Sequence, residues 1–327
     1  MRAFEYVEAA TKEKAIEALS GTWDTALLAG GTDLLNLMKD DVERPRRLVN
    51  IKGIPELARI STAKDGLHIG AAVTLDAVSD HAGIQKQYRA LAAAAGEVAG
   101  PQIRHMATVA GNLCQRPRCW YYRNGFGLLA RGPAGNYLVP EGDNRYHAIL
   151  GTGGPAYFVH PSSLAPALIA FDAKLKIYGP KGSRDVALKD FYRIPKSDGE
   201  RENLLDPNEI ILEIVVPPST AASAYYEVRQ KEAMDWPLAT ACATLKMDAG
   251  RKVREARVVL GHVAPVPWVA AQAEKWLVGQ TLSAETAARA GEAAVEGARA
   301  LKQNGYKIRL AQVAVKRALL RAAGMEA

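Results

Sequence analysis

The 327-residue chain has only three cysteines, Cys114, Cys119 and Cys242. Three thiols in a chain of this size exclude a disulfide framework, and an odd count leaves one over, so a reducing compartment is expected. Long hydrophobic runs are also missing: Leu91 to Ala95 and Pro166 to Phe171 fall well short of the roughly 18 residues of a membrane span. The opening stretch MRAFEYVEAATKEKAIEAL carries charge throughout and lacks an apolar core with a cleavage site. The expectation is a cytoplasmic chain with no export signal of its own, any export riding on a partner. The formal charge of +7 is spread out, with short basic runs such as Arg44 to Arg47 and no long block. That distribution reads as solvated surface, and no nucleic-acid partner is expected. Also lacking are G-x-S-x-G, H-E-x-x-H and any pair of histidines at metal-binding spacing, so no side chain stands out as a hydrolytic nucleophile, general acid or base.

What is present is the composition of a folded globular protein, 48% hydrophobic and 24% charged. Its length suits two or three domains. Residues 1–60 read as strand, helix, strand, glycine turn, helix, strand: FEYVEA, TKEKAIEAL with Thr11 as N-cap, TALLAG, LLNLMKDD and RLVNI. Residues 61–180 open with the strand LHIGAAV. There Ile84, Tyr88, Leu91, Ala95 and Val98 step by four, three, four and three, one apolar face of a single helix. ATVAGNL follows, then a Gly/Pro/Arg-rich stretch to about Tyr146, and a closing helix and strand in LAPALIAFDAKLKIYG. In residues 181–327, EIILEIVVP, ACATLKMD and ARVVLGHV read as strands of one antiparallel sheet. Helices at Trp268 to Leu277 and in KIRLAQVAVKRALLRAAG would pack on it, the latter through Ile308, Ala311, Val315 and Leu319. Residues 195–209 read as an exposed loop. There is no internal repeat.

Two glycine-containing bends stand out. In LLAGGTDLL, Leu27, Leu28, Ala29, Gly30, Gly31, Thr32, Asp33 and Leu34 lead from an apolar run into a helical one. A glycine pair there lets main-chain amides approach a bound group closely. With the positive end of the next helix they form an anion site, and Thr32 adds a hydroxyl. The stretch matches neither G-x-G-x-x-G nor the P-loop, and a tight turn with Asp33 capping a helix is the plain alternative. The second bend, in ATVAGNL, carries Thr108, Ala110, Gly111 and Asn112 after the arginine-bearing PQIRHM. Two amide-rich bends suit a pyrophosphate bridge, one bend to each phosphate.

These stretches also carry a resemblance. LLAGGTDLLNLMK, then QIRHMATVAGNL, then YEVRQKEAMDWPLA from Tyr226 to Ala239 resemble, in order and spacing, the FAD-binding medium subunit of the xanthine dehydrogenase family of molybdenum hydroxylases. The likeness runs over nearly the whole chain and extends to the carbon monoxide dehydrogenase medium subunit. It implies an α+β fold: a two-subdomain FAD-binding architecture of the vanillyl-alcohol-oxidase type, then a C-terminal α/β domain with an antiparallel sheet. It implies FAD as the cofactor. A large subunit with the molybdenum cofactor and a small subunit with 2Fe-2S clusters are the implied partners. The job implied is to collect electrons from those clusters and deliver them to an external acceptor. By the same resemblance Ser163 stands in HPSSL where the family has H-P-S-D-L, and Ala110 where it has glycine. Asp235 and Trp236 belong to the domain expected to cover the isoalloxazine, with Ile210 and Lys231 as further contacts by position. A flavin-free scaffold of the same architecture and a self-sufficient FAD oxidase remain the rival readings.

The run CQRPRCWYYRNGF, Cys114 to Phe126, is the most unusual. Relatives similar to 4-hydroxybenzoyl-CoA reductase and the periplasmic aldehyde oxidoreductase carry an extra 4Fe-4S cluster whose first ligand lies in R-C-x-[YF]-[YF], matched here by Arg118, Cys119, Tyr121 and Tyr122. The region that should hold the remaining ligands contains no cysteine. No cluster or other metal is therefore expected, and both cysteines read as small buried hydrophobes, Cys242 likewise. Arg116, Arg118 and Arg123 alternating with Trp120, Tyr121, Tyr122 and Phe126 suggest a subunit contact, with plain packing as the alternative.

Overall fold

The computed structural model describes residues 1–231 and 234–326. Glu232 and Ala233, within the third motif, lie outside the described residues. The chain opens with β1 (Glu5–Glu8), α1 (Lys12–Ala18), β2 (Thr25–Leu28), α2 (Leu34–Lys39) and β3 (Arg47–Asn50). The three strands form a parallel sheet in the order β1-β3-β2. The α1 helix begins where the Thr11 side chain accepts a hydrogen bond from the Lys14 amide, which satisfies one of the orphan donors of a helix start. The bend Ala29–Asp33 leaves the carboxyl end of β2, the edge at which parallel sheets bind ligands.

A second sheet follows, built from β4 (Ile60–Ala63), β5 (Gly66–Gly70), β6 (Lys174–Gly179), β7 (Gly182–Ala187) and β8 (Ile210–Val216), in the order β4-β5-β8-β6-β7. Between β5 and β6 run α3 (Leu75–Asp80), α4 (Ala82–Gln87), α5 (Arg89–Gly96), α6 (Pro101–Met106), α7 (Val109–Leu113), α8 (Trp120–Arg123) and α9 (Leu164–Ala170), and α10 (Leu188–Phe191) follows β7. The third sheet holds β9 (Ala222–Val228), β10 (Ala239–Met247), β11 (Val253–Gly261) and β12 (Trp268–Val269) in antiparallel array. It is completed by α11 (Ala271–Leu277), α12 (Ala284–Ala294) and α13 (Tyr306–Ala322). The class is α+β, as the resemblance implies.

Buried side chains of β10 alternate between two cores. Ala239, Ala241, Ala243 and Leu245 join the core beneath α12 and α13, whereas Cys242 joins the core that includes Leu91 of α5 and Leu164 of α9. Successive strand residues point to opposite faces, and here both faces are covered. That is why ACATLKM lacks the apolar–polar alternation of a half-exposed strand, and it makes Cys242 a core residue, as expected.

Four local expectations need correction. The helix over Ile84 to Val98 is broken at Tyr88, whose backbone leaves helical geometry at φ −126° and ψ 52°. Tyr88 donates its hydroxyl proton to the Pro217 carbonyl at 3.0 Å and packs edge-on against Phe171 at 5.2 Å. These tertiary contacts override the periodic pattern. Ile210–Val216 does not lie beside β10 and β11 but pairs with β5 and β6, because an apolar run does not say which sheet it completes. Trp268 and Val269 are strand rather than helix, since pairing with Leu260 and Val259 of β11 holds them extended. The segment 195–209 is not wholly exposed: Glu202 and Asn203 are buried, tied down by Arg193 N–H to Glu202 O at 3.1 Å and by a bridge from Asn203 to Tyr192.

Candidate functional site

The two bends meet. A Cβ on Gly30 would collide with the Met106 carbonyl oxygen, just ahead of the second bend, so this glycine allows two backbones to touch. Gly31 is required for another reason, because its φ of +72° lies in the left-handed region that side chains other than hydrogen rarely adopt. From Ala29 to Leu34, none of the six main-chain N–H groups has a hydrogen-bond partner among the described residues. The start of a helix leaves some donors free. Here the free series extends back through the whole bend, and all six residues line one cleft.

The second bend is differently disposed. Val109 N–H donates to Val73 O at 2.9 Å, Ala110 N–H to Ala71 O at 3.1 Å and Asn112 N–H to Thr108 O at 2.8 Å. Gly111 N–H donates to Thr108 Oγ1 at 3.1 Å. The expected division of one amide-rich bend per phosphate is therefore not what the geometry provides. Thr108, Ala110 and Gly111 line the cleft, Ala110 and Gly111 as a wall with their amides already engaged. Ala110 sits in α7 with ordinary helical backbone, so alanine in place of a family glycine brings no strain. Asn112 is buried, its Oδ1 accepting from Ser162 Oγ at 2.6 Å, which fixes the bend rather than facing the cleft.

The cleft encloses about 1370 Å³, counting its open mouth. Beyond the bends it is walled by Ile210, as expected, and by residues that motif reading missed: Trp23, Arg201, Leu205, Asp206 and Pro207. No sequence signal marks the last four, because they lie in the stretch that reads as exposed loop. Ser163 is buried and outside the cleft wall.

Asp33 does not cap α2 with its side chain. Its carboxylate accepts from Arg116 N–H at 2.9 Å and pairs with Arg123 at 2.9 Å and Arg118 at 3.0 Å. Arg116 in turn contacts Glu43 at 2.5 Å and the buried Glu202 at 2.6 Å, and burial raises the carboxyl pKa of Glu202. Tyr122 donates to Glu43 at 3.0 Å, and Arg201 reaches the same carboxylate at 3.3 Å. The arginines of the unusual run thus pair with carboxylates of their own chain, while Phe126 at its end is exposed.

Arg118 also lies 4.4 Å from the ring centroid of Trp236, which places the third motif at a second cavity rather than in the main cleft. Asp235 lines it too, and its oxygens are engaged by the local turn, accepting from Lys231 N–H at 3.1 Å and from Trp236 N–H at 2.9 Å. Lys231 itself is exposed and away from both cavities. Cys119 contributes to this second wall, its Sγ 3.2 Å from His147 Nε2. Burial raises the Cys119 thiol pKa and pushes that of Cys114 up to about 12, so both rest as neutral thiols.

The cleft fits a dinucleotide with a pyrophosphate bridge. It offers a contiguous row of free N–H donors, and a carboxylate already compensated by two arginines, so an anion beside it is not repelled. Comparison with known proteins agrees. Residues 2–219 match the family described as FAD binding domain in molybdopterin dehydrogenase, and residues 223–322 match the CO dehydrogenase flavoprotein C-terminal domain. The chain is 33% identical over 272 residues to the aldehyde oxidoreductase FAD-binding subunit PaoB of Escherichia coli strain K12, covering 82% of this chain and 84% of that protein. It is 29% identical to the carbon monoxide dehydrogenase medium chain of Hydrogenophaga pseudoflava, covering 90% and 88%. The solved structure of a carbon monoxide dehydrogenase from that organism, lacking the Mo-pyranopterin moiety, superposes with a TM-score of 0.77 at 27% identity, over 99% of this chain and 98% of that one. The fold, the cleft and these matches together show that the chain belongs to the family of FAD-binding subunits of molybdenum hydroxylases.

Proposed function

We propose that this chain carries FAD in the main cleft and serves as the electron-transfer subunit of a heteromeric molybdenum hydroxylase. In this reading a large subunit bears the molybdenum cofactor, and a small subunit with 2Fe-2S clusters passes electrons to this one, which hands them to an external acceptor. The observation that carries the proposal is the row of six unpartnered N–H groups at the carboxyl end of a parallel strand, the geometry that holds phosphates by main chain and helix dipole. FAD bound there supplies a redox group able to take up electrons singly and release them singly or in pairs.

The chain's own residues do the positioning. Ala29 to Leu34 donate to the pyrophosphate, with Gly31 holding the bend open. Thr108 and Gly111 form the facing wall, and Ile210 packs against the cofactor. Arg118 and Arg123 neutralise Asp33 so that the phosphates meet no uncompensated charge. Among the described residues no helix is long and apolar enough to cross a membrane. Purification of the native assembly tests the reading. The expected result is a yellow complex with FAD in this chain, and molybdenum and iron in two other polypeptides. A colourless chain that takes up no FAD, or one that purifies without such partners, would overturn it.

A further inference from the structure

Trp23 is unexplained by the bends or by the family motifs. It precedes β2, keeps 45% of its surface exposed and lines the cleft. The Arg201 guanidinium lies 3.9 Å from its ring centroid, and that arginine is held by Glu43 at 3.3 Å. An exposed tryptophan on a loop ordinarily samples several rotamers. Here a cation braced by a half-buried carboxylate covers it, an interaction that fixes ring orientation. Leu205, Asp206 and Pro207 line the same cleft.

The pyrophosphate lies in the middle of FAD, so its two halves must leave the glycine bend in different directions. Toward Arg118 the structure leads to Trp236 and the second cavity. Toward Arg116 and Glu43 it leads to Arg201 and Trp23. We infer that Trp23, held by Arg201, is the stacking platform for the adenine of the cofactor. This rests on the proposal that the main cleft binds FAD. A purine offers a π-face to an aromatic ring. A half-exposed indole of fixed orientation on the cleft wall therefore suits adenine.

Ligands that share only parts of FAD provide the test. The deflavinated full-length chain is titrated calorimetrically with FAD, FMN and ADP, for the wild type and for Trp23→Ala and Trp23→Phe, with folding checked by circular dichroism. Expected is a loss of about tenfold or more in FAD and ADP affinity for Trp23→Ala, from the usual worth of base stacking. FMN, which lacks the adenine half, should bind unchanged, and Trp23→Phe should recover most of the loss. Equal losses for FMN and FAD, or none for FAD, in a folded Trp23→Ala variant would overturn the platform while leaving the FAD cleft standing. Failure of the wild-type chain to bind FAD at all would overturn the cleft reading, and the platform with it.

Discussion

Replacing Gly30 by alanine separates the two bends by their roles. The added Cβ meets the Met106 carbonyl oxygen, a backbone atom that no rotamer change can move. The first bend must therefore stand off from the end of α6, at an overpacking cost of about 1–3 kcal/mol in stability. Its effect on the cofactor is larger. An N–H donor to a charged oxygen is worth about 1.5–3 kcal/mol, and misaligning two of the six free donors removes about 3–6 kcal/mol. At about 1.4 kcal/mol per decade, FAD affinity should fall by roughly a hundredfold to ten-thousandfold. Gly31→Ala should do less, about tenfold. It strains a left-handed residue by about 1–2 kcal/mol, but its Cβ would press only on side chains, Leu35 Cδ1 at 2.9 Å and Leu28 Cδ1 at 3.3 Å. Gly111→Ala should weaken FAD only slightly: its Cβ presses on Thr108 Oγ1 at 2.8 Å, but the Gly111 amide already serves Thr108 and is not one of the free donors. Fluorescence titration of the deflavinated chain with FAD, with circular dichroism to confirm folding, measures all three. Should Gly111→Ala weaken FAD as much as Gly30→Ala, or a folded Gly30→Ala bind like the wild type, the unequal roles of the bends would be refuted.

Other consequences are more direct. Cys119→Ser should keep FAD affinity and lower stability by only about 1 kcal/mol, since the residue is a small packed group beside His147; an altered flavin spectrum would contradict that. Glu43→Ala strips a carboxylate from Arg116 and Arg201, though Arg116 keeps the buried Glu202, and should cost about 1–3 kcal/mol in urea unfolding; no measurable loss would show the arginines are solvated. Burial lowers the pKa of His147 to about 4, and of His160 and His262 to about 3. Below the ordinary histidine value near 6.5 the unfolded chain binds protons that the folded one does not, so stability falls with pH until the folded values are reached. Three such groups give a slope approaching about 4 kcal/mol per pH unit, and a melting temperature unchanged from pH 7.5 to 5 would exclude it.

Much of the fold is legible in the sequence, and the reason is local. The first 60 residues announce themselves because each element carries its own signal: Thr11 as cap, the glycine pair as bend, the spacing of Leu34, Leu37 and Met38 as an apolar face. The two bends are also legible, but not the difference between them. Whether an amide is free depends on whether Ala71 and Val73 lie opposite it, and nothing in ATVAGNL encodes that. The break at Tyr88 and the placement of Ile210–Val216 escape for the same reason, since both are decided by partners distant in the chain, Pro217 for the first and β5 and β6 for the second. Arg201, Leu205 and Asp206 read as solvent-exposed loop because polar composition marks a segment without regular structure, not what that segment covers.

The aspartate directly after the glycine bend would, taken alone, argue against an anion site. A carboxylate about 4 Å from a phosphate oxygen repels it by about 4 kcal/mol at an effective dielectric of 20, enough to offset one or two good hydrogen bonds. The structure resolves this by turning the arginines of the 116–123 segment onto it: Asp33 takes a main-chain N–H and two guanidinium groups. Those contacts also pin the helix start against the second half of the FAD-binding region, which keeps the free amides turned toward the cleft. One carboxylate therefore serves as an anchor for the bend, and its cations serve both as its partners and as compensation beside the phosphates. The same balance of charge explains why an arginine-rich, aromatic segment with a cysteine at each of two positions folds inward. Buried ion pairs seldom add stability over apolar packing. Their use here is to hold a main-chain geometry in which donors remain unsatisfied until a ligand arrives.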